Sequence, residues 1–345
     1  MNLTIQTLAE RVLAGDLLTP QQAKELLAAS LDDLDDLLYW ANQIRRHFFG
    51  NQVRVCSIVP GRLGGCNQDC AFCAQSVRYD TGIDKTPKVL SDEQILAAAA
   101  EAKRKGVPNF GIVYSGKAVS DSELERLIAL AGRLKNEYGL GVCMGLGILS
   151  DRQMFRLAQA GVVRYNHNLE TSRRHFPEIV TTHSYEDRVR TIEAAAAAGL
   201  GVCAGGIFGI GEREQDRLDM AFELRRLGVD TVPMNFLHPI AGTPLEKAET
   251  LQPRDILRII ALYRFILPTA HLKVAGGRVL NLRDLQSWIF FAGCTSILSG
   301  NYLTTAGRSV EEDMRMLRDL GLTPVAEVLT KEQNANALHP QGVVP

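Results

Sequence analysis

The chain has 345 residues, 46% of them hydrophobic, and its 38 basic and 39 acidic side chains leave a formal net charge of −1. That balance excludes a basic nucleic-acid-binding face and a charged tail, and seven cysteines in so long a chain do not make a disulfide framework. The apolar content suffices for one large core of the kind an α/β barrel of this length needs.

Residues 1–50 read as a helical extension. Leu27, Leu31, Leu34, Leu37 and Leu38 recur at helical spacing and leave Asp32, Asp33, Asp35 and Asp36 for the solvated side. This extension is expected to cover the base of the larger unit that begins near residue 51. Met1-Asn2-Leu3-Thr4 leads straight into that pattern without the look of a signal peptide. With the cysteine usage, this suits a reducing, cytoplasmic compartment.

From Val53 onward apolar strands alternate with helices. Strands are predicted over Val53–Val59, Asn109–Ser115, Gly141–Gly147, Val162–Leu169, Gly201–Ile210, Thr231–Pro239, His271–Gly276 and Ser296–Tyr302. Helices are predicted over Ser91–Lys105, Asp121–Glu137, Asp151–Ala160, Tyr185–Ala198, Glu214–Leu227, Pro253–Leu267, Leu282–Phe291 and Val310–Leu320. Ser91 before Glu93 starts one, and Gly106, Gly161, Gly199, Gly228 and Gly321 stop others. The uncharged stretch Ala194–Gly211 is near the length of a membrane span, but Gly199 divides it into a helix end and a buried strand, so no membrane segment is expected. Successive strand–helix units imply a parallel sheet with right-handed crossovers. Closed on itself, this is a (β/α)8 TIM barrel over residues 51–325, with a doubly wound open sheet as the alternative. The polar tail 326–345 is expected to be disordered.

Cys66, Cys70 and Cys73 stand close together after the first strand, in Gly64-Gly65-Cys66-Asn67-Gln68-Asp69-Cys70-Ala71-Phe72-Cys73-Ala74-Gln75. A structural zinc site takes four protein ligands, whereas this loop offers three thiols and no histidine. Three thiols suit a cubane iron–sulfur cluster with one iron left open. Loops after barrel strands build active sites, so the position fits a catalytic cluster. A zinc site with a distant fourth ligand and a metal-free loop are the alternatives.

The strands themselves carry groups foreign to an aliphatic barrel interior. Alternation puts Asn166, Asn168 and Glu170 on one face of the fourth strand and Tyr165, His167 and Leu169 on the other. The amide and carboxylate face is placed inward, where a ligand rich in hydrogen-bonding groups would pair it. Asn235 on the sixth strand is a further candidate. Cys56, Cys143 and Cys203 lie on the first, third and fifth strands, and alternate strands share an interior layer. Their thiols can converge, and Arg278 is the polar group expected from the seventh strand. Together they could hold a second iron–sulfur cluster; packing as small hydrophobes is the alternative. Cys294 reads as a packing cysteine. The glycines of Gly205-Gly206-Ile207-Phe208-Gly209-Ile210-Gly211-Glu212 would let a ligand approach the backbone.

The C-x-x-x-C-x-x-C loop resembles that of radical S-adenosylmethionine (SAM) enzymes. Roughly Leu34 to Leu322 resembles the biotin synthase family, through the cysteine loop with Gln75, Tyr165-Asn166-His167-Asn168-Leu169, Gly205-Gly206-Ile207, Val232-Pro233-Met234-Asn235, Gly242-Thr243-Pro244-Leu245, Ala275-Gly276-Gly277-Arg278 and Leu303-Thr304-Thr305. The resemblance implies a dimeric barrel that converts dethiobiotin to biotin with SAM, a 4Fe–4S cluster and an auxiliary, sulfur-donating cluster. By matching position, Cys66, Cys70 and Cys73 would hold the SAM-binding cluster. Cys143, Cys203 and Arg278 match ligands of the auxiliary one. Gly205, Gly206, Glu212, Asn168, Glu170 and Arg188 would contact SAM, and Asn166, Asn168 and Asn235 the substrate. A flavodoxin- or ferredoxin-type donor would supply electrons. One departure stands out: Gly111 occupies the place of a second-strand cysteine, and Cys56 is its natural substitute. Another radical SAM enzyme without sulfur insertion, of the hydrogenase maturase or methylornithine synthase kind, and a non-enzymatic iron–sulfur carrier are the competing functions.

Overall fold

The computed structural model describes residues 2–31 and 33–325. Asp32 and the expected tail over 326–345 lie outside the described residues.

Eight parallel strands close on one another: β1 (Gln52–Leu63), β2 (Asn109–Tyr114), β3 (Gly141–Gly145), β4 (Arg164–Asn166), β5 (Gly201–Cys203, resumed at Gly206–Phe208), β6 (Thr231–Phe236), β7 (His271–Val274) and β8 (Ser296–Leu298). Pairing of β8 with β1, Arg54 opposite Ser296 and Cys56 opposite Leu298, completes the ring. The barrel expectation stands over the open sheet. A further short strand, β9 (Thr323–Val325), pairs with the start of β1, and Lys88–Val89 pairs with its end.

Helices fill the crossovers, and their starts are chemical. Ser91, Ser120, Ser150, Ser184 and Ser309 each accept from the backbone three residues on, while Gln94, Glu123, Gln153, Asp187 and Glu312 reach back to the cap. Apolar faces such as Leu124, Leu127, Leu130, Ala131 and Leu134 of Asp121–Tyr138 are buried against the sheet side. The uncharged stretch at 194–211 splits as expected between the end of Tyr185–Ala197 and β5, and no helix among the described residues is long and apolar enough to cross a membrane.

The amino-terminal region forms Leu3–Leu13, Pro20–Ala29 and Leu34–Phe49. The last packs on Pro253–Ile266, and its Phe49 ring meets His271, at the start of β7, at 4.6 Å. The extension therefore packs on an outer helix of the barrel and touches the amino-terminal end of β7.

Two expected elements are broken. The predicted strand Gly201–Ile210 is interrupted between Cys203 and Gly206, where the backbone runs so close to β6 that a Cβ on Gly205 would sit 1.9 Å from the Pro233 carbonyl oxygen. The predicted helix Leu282–Phe291 is a short helix, Arg278–Leu282, followed by a 3-10 turn, Arg283–Ile289.

Candidate active site

A cavity of about 310 Å³ opens among the carboxyl ends of the strands. Cys56 from β1, Cys143 from β3 and Cys203 from β5 all line it, and so does Cys73 from the loop after β1. Of the loop thiols, Cys73 shares this space with the three barrel thiols, while Cys66 and Cys70 do not line it.

Register explains the convergence. Cys143 pairs with Gly111 on one side and Arg164 on the other, and Cys203 pairs with Asn166 and Thr231. Burial raises the Cys203 thiol above its ordinary range. Its partner is Lys273 of β7, whose ammonium donates to Cys203 Sγ at 3.1 Å. Burial works against that ammonium, but Cys203, Cys56 and Cys143 outweigh it and hold Lys273 above the usual lysine range. A cation of this kind stabilises thiolates and metal-bound sulfur.

Arg278 is not part of this set. β7 ends at Val274, the chain turns at Gly277 with φ +75°, and Arg278 begins the next helix. Its Nη2 donates to both oxygens of Asp313 at 2.9 and 2.7 Å, with both side chains fully buried. Ser299 Oγ also donates to Asp313, at 2.7 Å. The guanidinium therefore ties helix Val310–Asp319 to the chain after β8 and does not line the cavity.

In the cysteine loop, burial pushes Cys70 up to about 12 and Cys73 up to about 11. Thiols so placed stay protonated at neutral pH unless a cation such as iron lies beside them. Gln75 pins the loop ends, its side chain accepting from Gly64 N–H at 3.0 Å and its carbonyl from Cys66 N–H at 3.2 Å. Burial alone would raise Asp69, but the hydroxyls and amides of Thr181 and Thr182 prevail and hold it well below the usual carboxylate range. Among the described residues no three His, Cys, Asp or Glu side chains are spaced to share a single metal ion. Thiols that bind different irons of one cluster do not require that spacing.

Of the amides, Asn166, Asn168 and Asn235 line the cavity. Asn166 Oδ1 is a buried acceptor without a protein donor. Asn168 accepts from Gly205 N–H at 3.2 Å and donates to Glu170 at 3.4 Å. Asn235 bridges β5 to the end of β7, donating to the Gly206 carbonyl at 3.1 Å and accepting from Gly276 N–H at 2.9 Å. Glu170, at φ 71°, stands behind Asn168, where burial raises its carboxyl although Arg188 lies 3.3 Å away. Arg188 also donates to the Asn168 carbonyl at 2.9 Å and is 8% exposed, so it frames the pocket from behind.

Three expected SAM contacts turn out to pack against protein. The space a side chain would need at Gly205 holds the Pro233 carbonyl, and at Gly206 it holds Glu170 O at 2.4 Å and Met220 Sδ at 2.6 Å. Neither glycine lines the cavity; Ile207 does. Glu212 spends its carboxylate on the amides of Gly209 (2.9 Å) and Ile210 (2.8 Å) and on Arg217 (2.8 Å). Cys294 donates to the Leu272 and Ser296 carbonyls at 3.2 and 2.9 Å, consistent with packing.

Gly111 lines the cavity, and the space beside it is taken by Ile58, whose Cγ2 would lie 3.0 Å from an added Cβ. Lys273 and Arg164, both lining the cavity, were missed by sequence reasoning. A lysine inside the apolar run Leu272-Lys273-Val274 was the available signal.

Comparisons with known proteins agree with this architecture. Residues 62–224 match the model of the Radical SAM superfamily, and residues 233–323 that of the Biotin and Thiamin Synthesis associated domain. The chain is 50% identical over 311 residues to a biotin synthase of Heliobacterium modesticaldum, covering 90% of this chain and 95% of that one. It is 47% identical over 319 residues to a biotin synthase of Geobacter sulfurreducens, covering 92% and 97%. Among solved structures, methylornithine synthase superimposes with a TM-score of 0.79 at 22% identity, covering 96% of this chain and 99% of that one. The hydrogenase maturase HydG does so with 0.81 at 15%, covering 98% and 77%. These last two share the fold.

Proposed function

This chain belongs to the biotin synthase family, and on that premise we propose which of its residues serve the family's reaction. It is a radical SAM enzyme that converts dethiobiotin to biotin by sulfur insertion, with a 4Fe–4S cluster, SAM and an auxiliary iron–sulfur cluster as cofactors. Cys66, Cys70 and Cys73 hold the 4Fe–4S cluster, and Cys56, Cys143 and Cys203 hold the auxiliary cluster beside Lys273. When bound, the two supply the electron that cleaves SAM and the sulfur that enters the product.

The observation that carries this assignment is that Cys73 of the loop set lines one cavity together with Cys56, Cys143 and Cys203 of the barrel set. The donor chemistry fits as well: the half-buried Cys70 and Cys73 thiols are raised above their ordinary range in the loop, and thiols surround a buried ammonium in the barrel. Lys273 keeps its proton at Nζ and balances negative charge on the sulfur side. Asn166 offers an unpaired acceptor to a ligand N–H, and the ureido group of dethiobiotin carries such donors. Asn168 is aimed by Glu170 and Gly205, and Arg188 holds its backbone from behind. Asn235 acts by fixing the strand ends. Ile58, Ile112, Met144, Ile207, Phe236 and Leu298 are among the apolar residues of the wall, which limit water around the reacting groups.

A flavodoxin- or ferredoxin-type electron donor, a homodimeric state and a cytoplasmic location belong to the same reading; family membership supports them, and seven cysteines outside any disulfide suit a reducing compartment. Anaerobic incubation of the reconstituted protein with SAM, a reductant and dethiobiotin, followed by mass spectrometry, tests the function. Biotin is expected. Its absence from protein carrying both clusters would favour a relative without sulfur insertion.

A further inference from the structure

Three non-thiol residues of the cysteine loop are fastened to one strip of chain, Ile179–His183, none of which lines the cavity. Asp69 is the centre of this fastening. Its carboxylate accepts from the Thr181 amide at 3.0 Å, the Thr182 amide at 3.2 Å, the Thr182 hydroxyl at 2.8 Å and the Thr181 hydroxyl. Its own N–H donates to Thr182 Oγ1 at 3.3 Å. On one side Gln68 Oε1 is 2.8 Å from His183 Nδ1, and on the other Ala71 N–H donates to the Ile179 carbonyl at 3.0 Å.

The strip is itself anchored. It runs from the short helix Phe176–Ile179 to Ser184, which caps Tyr185–Ala197. His183 Nε2 accepts from Arg188 Nε at 3.1 Å, which leaves Nδ1 to carry the hydrogen toward Gln68. Arg188 continues to the Asn168 carbonyl. The loop between Cys66 and Cys70 is therefore bound through the strip to the wall that carries the pocket amides.

A carboxylate with four N–H and O–H donors is a strong, directional anchor, because bonds to an ionised acceptor are the stronger kind. Without it, the entropy of ordering the loop would count against iron binding. We propose that Asp69 is the positioning residue of the cluster loop: by gripping Thr181 and Thr182 it sets the cysteines in place before iron arrives. This rests on the reading that Cys66, Cys70 and Cys73 hold the SAM-binding cluster.

The test uses full-length protein reconstituted anaerobically, with a chelator added to the reduced enzyme. The readout is the decay of the electron paramagnetic resonance signal that SAM perturbs, which reports the loop cluster alone. Outer-sphere partners of metal ligands are typically worth about 10–100-fold in metal affinity. Asp69→Ala is expected to speed the decay at least about tenfold. Thr181→Val/Thr182→Val should move in the same direction, and Thr181→Ser/Thr182→Ser, which keeps every donor, should retain the wild-type rate. Decay of Asp69→Ala at the wild-type rate would overturn the proposal even if its melting temperature fell. If Asp69→Ala does not fold, a wild-type rate in the valine pair overturns it instead. Survival of the signal in Cys66→Ala/Cys70→Ala/Cys73→Ala would instead sink the cluster assignment beneath it.

Discussion

Replacing Arg278 with Met separates a structural guanidinium from a cluster ligand. Its Nη2 lies 2.9 and 2.7 Å from the two oxygens of Asp313, and neither side chain is exposed. Without Arg278, Asp313 keeps Ser299 Oγ at 2.7 Å, with Arg308 Nε at 4.0 Å, as the nearest support for its buried carboxylate. Breaking a buried pair from one side costs about 3–5 kcal/mol, whereas removing both partners is often close to neutral. Arg278→Met should therefore lower the urea midpoint of the metal-free protein by about 1 M or more, taking a slope of about 3 kcal/mol/M. Arg278→Met/Asp313→Leu should recover most of that loss. Iron and sulfide counted after anaerobic reconstitution of the folded single variant should match wild type. An unchanged midpoint together with loss of auxiliary-cluster iron would refute the reasoning and return Arg278 to the ligand set.

Other consequences come from the same geometry. Gly205→Ala must push a methyl into the Pro233 carbonyl and should cost more than about 3 kcal/mol, whereas Gly132→Ala, with nothing within 4 Å inside helix Asp121–Tyr138, should stabilise by about 0.5–1 kcal/mol; paired urea melts check both. The thiols of Cys70 and Cys73, pushed up to about 12 and about 11, are protonated at neutral pH in the metal-free loop. Their alkylation by iodoacetamide should then still be climbing about tenfold per pH unit between pH 8 and 10, past the point where an ordinary thiol levels off; a plateau near pH 9 would contradict the burial argument. Lys273→Met should weaken auxiliary iron retention without touching the loop cluster, measured by iron content and the SAM-perturbed signal; unchanged iron would remove the ammonium from the site.

Much of this was legible in the sequence because local chemistry agreed with the global fold. Ser91 does start a helix as read, though the side chain that reaches back to it is Gln94 and not Glu93, and Gly199 cuts the uncharged run where a helix stop was expected. Cys56, Cys143 and Cys203 could be aligned because parallel strands keep a countable register. Counting failed where the register ended. Arg278 stands only four residues beyond the last residue of β7, Val274, but a turn lies between them, and Lys273, one residue earlier, takes the inward place. Gly205 and Gly206 looked like room for a ligand, yet their space is filled by Pro233, Glu170 and Met220, which no local pattern announces. The Asp69 anchor joins residues more than a hundred positions apart and was invisible for that reason.

The central claim is that two separate thiol sets, one on the loop after β1 and one within the barrel, hold two iron–sulfur clusters that share a cavity. Iron and sulfide analysis with Mössbauer spectroscopy on Cys66→Ala/Cys70→Ala/Cys73→Ala and on Cys56→Ala/Cys143→Ala/Cys203→Ala addresses it directly. Each variant should lose one cluster and keep the other, so that the two losses together account for the iron of the wild-type protein. Full iron content in the barrel variant would contradict the account.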